Sequence, residues 1–418
     1  MKSSQHGASL SAKHSFFFVV VIISFGASFY MQSSTVKRFG FNPGYKQSIF
    51  EYITNEGSAE LDPITAYVST MDLSNVPPRG SPPNLQAERA TEEETKRVGH
   101  IRSKHGYGGG GDKPHLGGFT TIDPQGISPS VWTDMMEYFG VHTLLDVGCG
   151  RGLSTSWFYM QGVKVQCVEG SHDAIERSVL PALSEGDGDN VGNSTSKGND
   201  PMIIEHDFSL GPWWPEETVD AVWCIELLEH VGRNFARNYL TAFKKAALIF
   251  ATHSKWGGWH HTEVHDEVWW KSKFEMYGFV YSEQLTHRVR QKARDELKEQ
   301  VPFPVPETAS STKVYNGAHI TTSMMVFINP AVASRPEHAH LLSEPGCFDE
   351  RKEVGSRNVP CGEETNANSR AVNSQLPLQY KFIPYKQGKH NEWEEYINKT
   401  VAEDEALQKG TAGRDNGD

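Results

Sequence analysis

The chain lacks the cysteine pairs of a structural zinc domain and carries an excess of negative charge. Its 418 residues include only five cysteines, and no two of them form a C-x-x-C pair, so zinc-ribbon sites are excluded. Forty basic residues against 52 acidic ones give a net charge of −12, which disfavours a nucleic-acid partner. Hydrophobic residues make up 37% and mean hydropathy is −0.51, so we expect part of the chain to be unstructured.

Charge of either sign is missing from Phe16 to Met31, and no acidic residue precedes Glu51. A helix over this run spans about 24 Å, short of the roughly 30 Å hydrocarbon core, which favours a signal peptide or short signal anchor. We therefore expect residues 1–31 to direct the chain into the secretory pathway. It would become a single-pass type II Golgi membrane protein, or be secreted after cleavage. An organelle transit peptide remains open, since residues 29–50 are basic and acid-free.

Composition divides the remaining chain into three parts. Residues 32–113 include the proline-rich stretch 77–83 and predict a largely disordered stem or linker. Residues 114–330 alternate strand and helix patterns, which predicts an α/β domain with a polar insertion loop at 184–200. Residues 331–418 show little apolar periodicity and predict a mostly irregular C-terminal extension.

The most informative stretch is an apolar strand that ends in D-x-G-x-G-x-G, from Asp146 to Gly152. Its glycines, Gly148, Gly150 and Gly152, permit positive φ angles and close approach of the backbone to a ligand. A dinucleotide fingerprint spaces its glycines as G-x-G-x-x-G, which is a different pattern.

Three further strands follow in order. Val163–Glu169 ends in an acid, and a carboxylate suits a ribose diol because it accepts two hydrogen bonds. Met202–Phe208 contains Asp207, which could bind a ligand or could simply be an acidic loop residue or a helix cap. Val219–Ile225 is the fourth strand. Elsewhere the pattern predicts helices over 128–139, 173–183, 233–245, 263–277 and 286–300, and strands over 247–251, 279–281 and 319–328.

Together these segments, over residues 143–230, resemble the class I S-adenosylmethionine (SAM)-dependent methyltransferases. The resemblance implies a Rossmann-like, mostly parallel seven-stranded sheet with helices on both faces and a reversed last strand. It assigns Glu169 to the ribose and Asp207 to the adenine amino group of SAM. The residues that we expect to bind this cofactor are Asp146, Gly148, Cys149, Gly150, Gly152, Glu169, Asp207, Phe208 and Cys224.

The fourth strand leads into the motif E-x-x-E-H. If a helix begins near Glu226, the spacing places Glu226, Glu229 and His230 on one face, as a ligand set for Mg²⁺ or Mn²⁺. The motif resembles the O-methyltransferases of ubiquinone biosynthesis and the small-RNA 2′-O-methyltransferases. The second resemblance implies one distant histidine ligand, for which His261 is the first candidate and His260 the second. A metal-free site also stays open, because L-E-H-V occurs in class I enzymes without a metal.

These residues predict a SAM-dependent O-methyltransferase that acts on a small-molecule or glycan hydroxyl. A divalent metal would lower the pKa of that hydroxyl, and His230, His261 or His260 would handle the proton. A quinol or phenol acceptor is the alternative within this class. An NAD-dependent oxidoreductase and a non-catalytic SAM-binding or interaction protein are the alternatives outside it.

The cysteines fall into two groups. Cys149, Cys167 and Cys224 lie in strands or the glycine-rich turn, where we expect small buried residues. Cys347 and Cys361 flank a polar loop and would form a disulfide only in an oxidising compartment.

Overall fold

A seven-stranded sheet forms the centre of the computed structural model. The structure describes residues 76–96, 111–116, 120–180, 202–258, 260–305, 314–333, 335–342 and 383–412. The strands are β1 (Thr143–Val147), β2 (Lys164–Glu169), β3 (Ile203–Glu205), β4 (Val219–Cys224), β5 (Ala246–Ala251), β6 (Val280–Tyr281) and β7 (Met325–Ile328). The helices are α1 (Pro129–Glu137), α2 (Leu153–Gln161), α3 (His172–Glu176), α4 (Ala236–Phe243), α5 (Glu267–Met276), α6 (Glu283–Glu299), α7 (Ala318–Ser323), α8 (Pro330–Ala333) and α9 (Gln387–Ala412).

The strands are arranged in the order β3-β2-β1-β4-β5-β7-β6. The first five are parallel, and β7 runs antiparallel to both β5 and β6. One apolar cluster covers each face of the sheet. The mostly parallel sheet, its flanking helices and its reversed last strand confirm the predicted fold class.

One predicted strand and one predicted helix begin later in the structure than the sequence pattern indicated. The final strand was predicted over 319–328, but residues 318–323 form α7, and β7 begins only at Met325. The helix predicted over 263–277 begins at Glu267, because the side chain of Asp266 accepts the Trp269 N–H and so caps it. The helix predicted over 173–183 ends at Glu176, and the remaining predicted helices agree with the structure to within a few residues.

Part of the predicted stem packs on the domain, so this part of the prediction is wrong. Leu85 donates its N–H to His206 Nδ1 (2.9 Å), and its carbonyl accepts the N–H of Asp207 (2.8 Å). Arg89 forms ion pairs with Asp112 and Asp173, both at 2.6 Å. A segment that forms neither a helix nor a strand can still make such bonds. These contacts show that the ordered domain begins before residue 114.

The C-terminal extension was predicted to be mostly irregular, and this prediction is wrong for residues 387–412, which form α9. Three of its side chains, Trp393, Ile397 and Val401, are fully buried in the cluster on one face of the sheet. They recur every four residues, which is the spacing of one narrow helical stripe. The prediction failed because only a few side chains of this otherwise polar helix are buried, so the sequence shows little apolar periodicity.

The cysteine prediction also needs correction. Cys149 and Cys167 form a disulfide, with their Cα atoms 5.9 Å apart. The pairing is possible because Cys167 lies beside Asp146 in the β1–β2 register and the chain turns back just after β1. Cys224 is a buried free thiol, as predicted. Cys347 and Cys361 lie outside the described residues.

The predicted leader (1–31), the rest of the stem to residue 75 and the insertion loop 184–200 also lie outside the described residues. Within the part of the chain that the structure describes, no helix combines the length and apolarity needed to cross a bilayer.

Candidate active site

A cavity of about 1130 Å³ opens at the carboxyl edge of the parallel strands. It is lined by the loops that follow β1, β2, β3, β4 and β5, and by the segment that precedes β7. In open α/β sheets the ligand lies outside the carboxyl ends of the strands, so this is where a cofactor site is expected. Seven of the predicted cofactor residues line this cavity: Asp146, Gly148, Cys149, Gly150, Glu169, Asp207 and Phe208.

The turn after β1 is built around the buried carboxylate of Asp146. Its Oδ2 accepts the hydroxyls of Ser154 (2.5 Å) and Thr155 (2.7 Å) from the start of α2, which ties the turn to that helix. Burial raises the pKa of Asp146 to about 6. Gly148 has a φ of 75°, and a Cβ there would come within 2.9 Å of Leu227, so this position requires glycine.

Glu169 holds the same turn from the end of β2. Its Oε2 accepts the N–H of Gly150 (2.6 Å), and its Oε1 accepts those of Gly170 (2.9 Å) and Ser171 (2.8 Å). Burial nevertheless raises the pKa of this carboxyl. A carboxylate fixed in this way at a strand end has the position predicted for the ribose contact.

Asp207 follows β3 and belongs to a pair that the sequence did not suggest. Its Oδ2 lies 2.7 Å from His115 Nε2, and its Oδ1 accepts the N–H of Ser209 (2.7 Å). His115 also lines the cavity, so it stands beside the predicted adenine site. Two other predicted cofactor residues do not line the cavity: Gly152 packs against Leu180, and Cys224 is buried in the core.

The E-x-x-E-H segment is not helical, so the helix predicted from Glu226 is wrong. No residue from 225 to 231 is helical, a turn covers only 228–230, and Glu226 has a φ of 53°, which ends any helical path at that point. Donor atoms of Glu229, His230 and His261 nevertheless lie within 4.8 Å of one another. The turn thus assembles three of the four predicted ligands.

Glu229 is the most informative member of this cluster. It is 0% exposed, and its carboxylate oxygens have no hydrogen-bond partner among the described residues apart from its own N–H and the neighbouring Glu226 carboxyl. Burial and the neighbouring Glu229 carboxylate raise the pKa of Glu226 to about 8, and burial raises the pKa of Glu229 to about 6. Burial, together with His261 and His260, lowers the pKa of His230 to about 3, so its imidazole is neutral. A neutral imidazole beside a buried carboxylate suits a cation.

His261 is oriented by its own loop. Its Nδ1 donates to the Trp256 carbonyl (2.8 Å), which leaves Nε2 to face the cavity. Its ring lies edge-on to that of His230, with centroids 4.9 Å apart. A Cβ at Gly258 would come within 2.6 Å of His261 Nε2, so the loop leaves space for this imidazole only because that residue is glycine.

The fourth predicted ligand, Glu226, faces a histidine that sequence reasoning missed. His319 places its Nδ1 3.3 Å from Glu226 Oε1 and its Nε2 3.0 Å from Asp123 Oδ2. Burial opposes the imidazolium, but the carboxylates of Asp123 and Glu226 outweigh it and raise the pKa of His319. His319 precedes the reversed strand β7, whose start lies at the carboxyl edge of its neighbours. The reversed direction of the last strand was therefore the sequence signal that could have pointed to His319.

Backbone strain is concentrated at this cavity. Among the described residues, three other than glycine have positive φ, and two of them, Glu226 and His260, line it. Such conformations cost about 1–3 kcal/mol each and often occur at functional sites.

Residues 123–322 match a family model described as a methyltransferase domain. Among solved structures, magnesium protoporphyrin IX methyltransferase (ChlM) from Synechocystis PCC 6803 with bound SAM is 12% identical. That match covers 60% of this chain and 86% of ChlM, with a TM-score of 0.24. The methyltransferase domain of bacterial CtHen1-CN is 15% identical, over 47% of this chain and 99% of that one, with a TM-score of 0.26.

A putative RNA methyltransferase from Pyrococcus horikoshii is 20% identical, over 45% of this chain and 83% of that one, with a TM-score of 0.24. No curated protein matches the chain. The family match, the strand order and the glycine-rich turn after β1 identify residues 123–322 as a methyltransferase domain of the class I SAM-dependent type.

Proposed function

We propose that this methyltransferase transfers the methyl group of SAM to a hydroxyl of a small molecule or glycan, with a divalent cation in the site. The observation that carries the proposal is the buried carboxylate of Glu229, to which no other described residue except Glu226 offers a hydrogen bond and which lies against His230 and His261. A buried carboxylate without a donor is costly unless a cation or proton compensates it. The family match favours this function over an oxidoreductase.

Glu229, His230 and His261 would hold the ion, with Glu226 beside them. The ion supplies Lewis acidity, which lowers the pKa of a bound hydroxyl. Mn²⁺ accepts imidazole more readily than Mg²⁺, so a site with two imidazoles favours Mn²⁺.

The protein residues provide positioning and proton transfer. The Gly148 turn and Glu169 fix the cofactor, while the cluster around Glu229 fixes the acceptor across the same cavity. His260 has no place in the three-residue cluster but lines the cavity, so it is a candidate to take the hydroxyl proton. Because SAM is already an activated donor, alignment of acceptor oxygen and methyl group supplies much of the remaining rate.

The acceptor class is proposed from cavity size and charge. A single small-molecule site usually occupies ~300–1,000 Å³. The cavity of about 1130 Å³ therefore has room for SAM and a small acceptor together. A net charge of −12 disfavours a polyanionic acceptor such as RNA. A phenol or quinol remains the competing acceptor within this class.

The test is methyl transfer from labelled SAM to panels of glycans, phenols and RNA, with Mn²⁺ and with chelator. We expect Glu229→Gln to bind SAM normally but to lose metal-dependent turnover, because the amide keeps the shape and removes the charge. Glu275→Gln, on the exposed face of α5, is the matched control. Equal turnover by Glu229→Gln and wild type, or full activity in chelator, would exclude the metal. If the protein binds SAM but transfers its methyl group to no compound of any panel, a non-catalytic SAM-binding protein would be favoured.

The compartment is a separate proposal. The apolar run at 16–31 supports entry into the secretory pathway, with an organelle as the alternative. Fusion of residues 1–75 to a fluorescent reporter tests it: Golgi or secreted fluorescence supports the proposal, and organellar or cytosolic fluorescence contradicts it.

A further inference from the structure

A second cluster of histidines lies at the opposite edge of the sheet from the cavity. His142 immediately precedes β1, Asp220 is the second residue of β4, and His338 and His340 belong to a 3-10 turn at Pro336–Leu342. All four side chains are buried, with exposures of 1–7%. Three separate segments therefore bring three imidazoles and one carboxylate together inside the protein.

The Asp220 carboxylate is the centre of this cluster. Its Oδ1 lies 2.7 Å from His338 Nδ1 and 3.1 Å from His340 Nε2. Donor atoms of His142, Asp220 and His340 all lie within 4.8 Å of one another. The other oxygen, Oδ2, accepts the backbone N–H groups of His142 (2.8 Å) and Thr143 (3.0 Å). These bonds fix the carboxylate so that Oδ1 faces the imidazoles.

A second layer of hydrogen bonds orients the same groups. His338 Nε2 lies 2.9 Å from the hydroxyl of Thr218, which turns Nδ1 toward Asp220. The backbone N–H of Asp220 donates to the Thr143 hydroxyl (2.7 Å), which fixes the start of β4 against that of β1. In protein metal sites the ligating histidines are oriented in this way through their second nitrogen.

We propose that His142, Asp220, His338 and His340 bind one structural zinc ion. Three imidazoles and one carboxylate form a closed tetrahedral donor set of the kind zinc takes, whereas Mg²⁺ and Ca²⁺ take mainly oxygen ligands. The ion would compensate the negative charge of the buried carboxylate, and each imidazole would bind it in the neutral form, through the nitrogen that carries no proton. No step of the proposed methyl transfer involves this site.

Binding requires a limited rearrangement. At Zn–N and Zn–O distances of about 2.0–2.2 Å, two ligand atoms of a tetrahedral ion lie about 3.3–3.6 Å apart, so donors of His142, Asp220 and His340 that are up to 4.8 Å apart must approach by as much as about 1 Å. The rings of His142 and His340 are stacked, with centroids 4.4 Å apart and an interplanar angle of 2°. Because nitrogen lone pairs lie in the ring plane, one of these rings must turn about its Cβ–Cγ bond.

The site would join the C-terminal extension to the sheet. His338 and His340 lie beyond residue 322, where the family match ends, whereas His142 and Asp220 lie within it. The ion would therefore cross-link positions 142, 220 and 338–340, which constrains the unfolded chain over long loops and stabilises the folded one.

The test measures zinc in the full chain after dialysis, by inductively coupled plasma mass spectrometry and by native mass spectrometry. We expect one zinc equivalent in wild type and in His261→Ala, which removes only an active-site ligand. We expect at least a tenfold lower content in His340→Ala. The matched control is His287→Ala, an exposed histidine on α6 that should keep the zinc.

A milder variant covers the case in which His340→Ala fails to fold. Thr218→Val removes only the hydroxyl that orients His338, and loss of an outer-shell partner typically costs about 10- to 100-fold in metal affinity. Competition with a chromophoric chelator measures that change, with circular dichroism to confirm the fold. Wild type without zinc after growth in zinc-supplemented medium, or equal zinc affinity in Thr218→Val and wild type, would overturn the proposal.

Discussion

Replacement of Trp393 tests whether the C-terminal helix α9 is an integral part of the methyltransferase domain. The indole is 0% exposed, and its Nε1 donates to the Ser156 hydroxyl on α2 (2.9 Å). It packs edge-on against Trp132 on α1, with ring centroids 5.9 Å apart. The helix therefore buries its largest side chain between two helices that flank the cofactor turn.

The expected magnitude follows from these contacts. Truncation of a buried Trp to Ala removes its transfer free energy and leaves a cavity, at a cost of about 3–5 kcal/mol. That is a large part of the ~5–15 kcal/mol that holds a typical domain together. Trp393→Phe keeps most of the ring and loses mainly the hydrogen bond to Ser156, so it should cost about 1–2 kcal/mol.

The assay is urea unfolding followed by far-ultraviolet circular dichroism. The control is Leu407→Ala on the same helix, where the side chain is 69% exposed and the expected change is within about 0.5 kcal/mol. If the unfolding midpoint of Trp393→Ala equals that of Leu407→Ala, α9 does not pack as the structure shows, and the C-terminal extension is dispensable for the fold.

Three further predictions concern the cofactor turn and stability. Asp404→Ala should weaken SAM binding several-fold in a calorimetric titration, because Asp404 on α9 pairs with the buried Arg151 of the turn (3.0 Å); exposed Glu403→Ala should not. Glu169→Ala should weaken SAM binding more strongly, and unchanged affinity would remove Glu169 from the cofactor site. Burial opposes the charge on Glu267, but Lys271 and Arg290 outweigh it and lower its pKa to about 2 from 4.5. Because the folded pKa is depressed, this stability is complete above about pH 5 and is lost as the pH falls toward 2. At pH 7 Glu267→Gln should therefore destabilise by about 2 kcal/mol after allowance for screening, and an unchanged unfolding free energy would contradict this.

The sheet and the cofactor turn could be predicted from the sequence because their signals are local. Apolar runs of strand length alternate with helical patterns, and the turn after β1 shows its glycines directly. Asp146 and Glu169 stand at strand ends, so parallel topology alone brings both to one edge.

The rest depends on contacts between distant segments. The strand expected to begin at His319 contains a helical turn first, and no local pattern showed that Asp123 and Glu226 would enclose this histidine. The E-x-x-E-H spacing suggested a helical face, whereas the left-handed backbone at Glu226 assembles the cluster through a turn. Helix α9 was missed because only one position in four carries its packing.

A calorimetric titration of the full chain with SAM, in Mn²⁺ and in chelator, tests whether the cavity binds this cofactor. We expect a dissociation constant in the micromolar range both in Mn²⁺ and in chelator, because the ion at the cluster around Glu229 holds the acceptor and not the cofactor, and we expect no binding of NAD. A folded chain that binds no SAM would contradict the assignment of the cavity and the mechanism built on it.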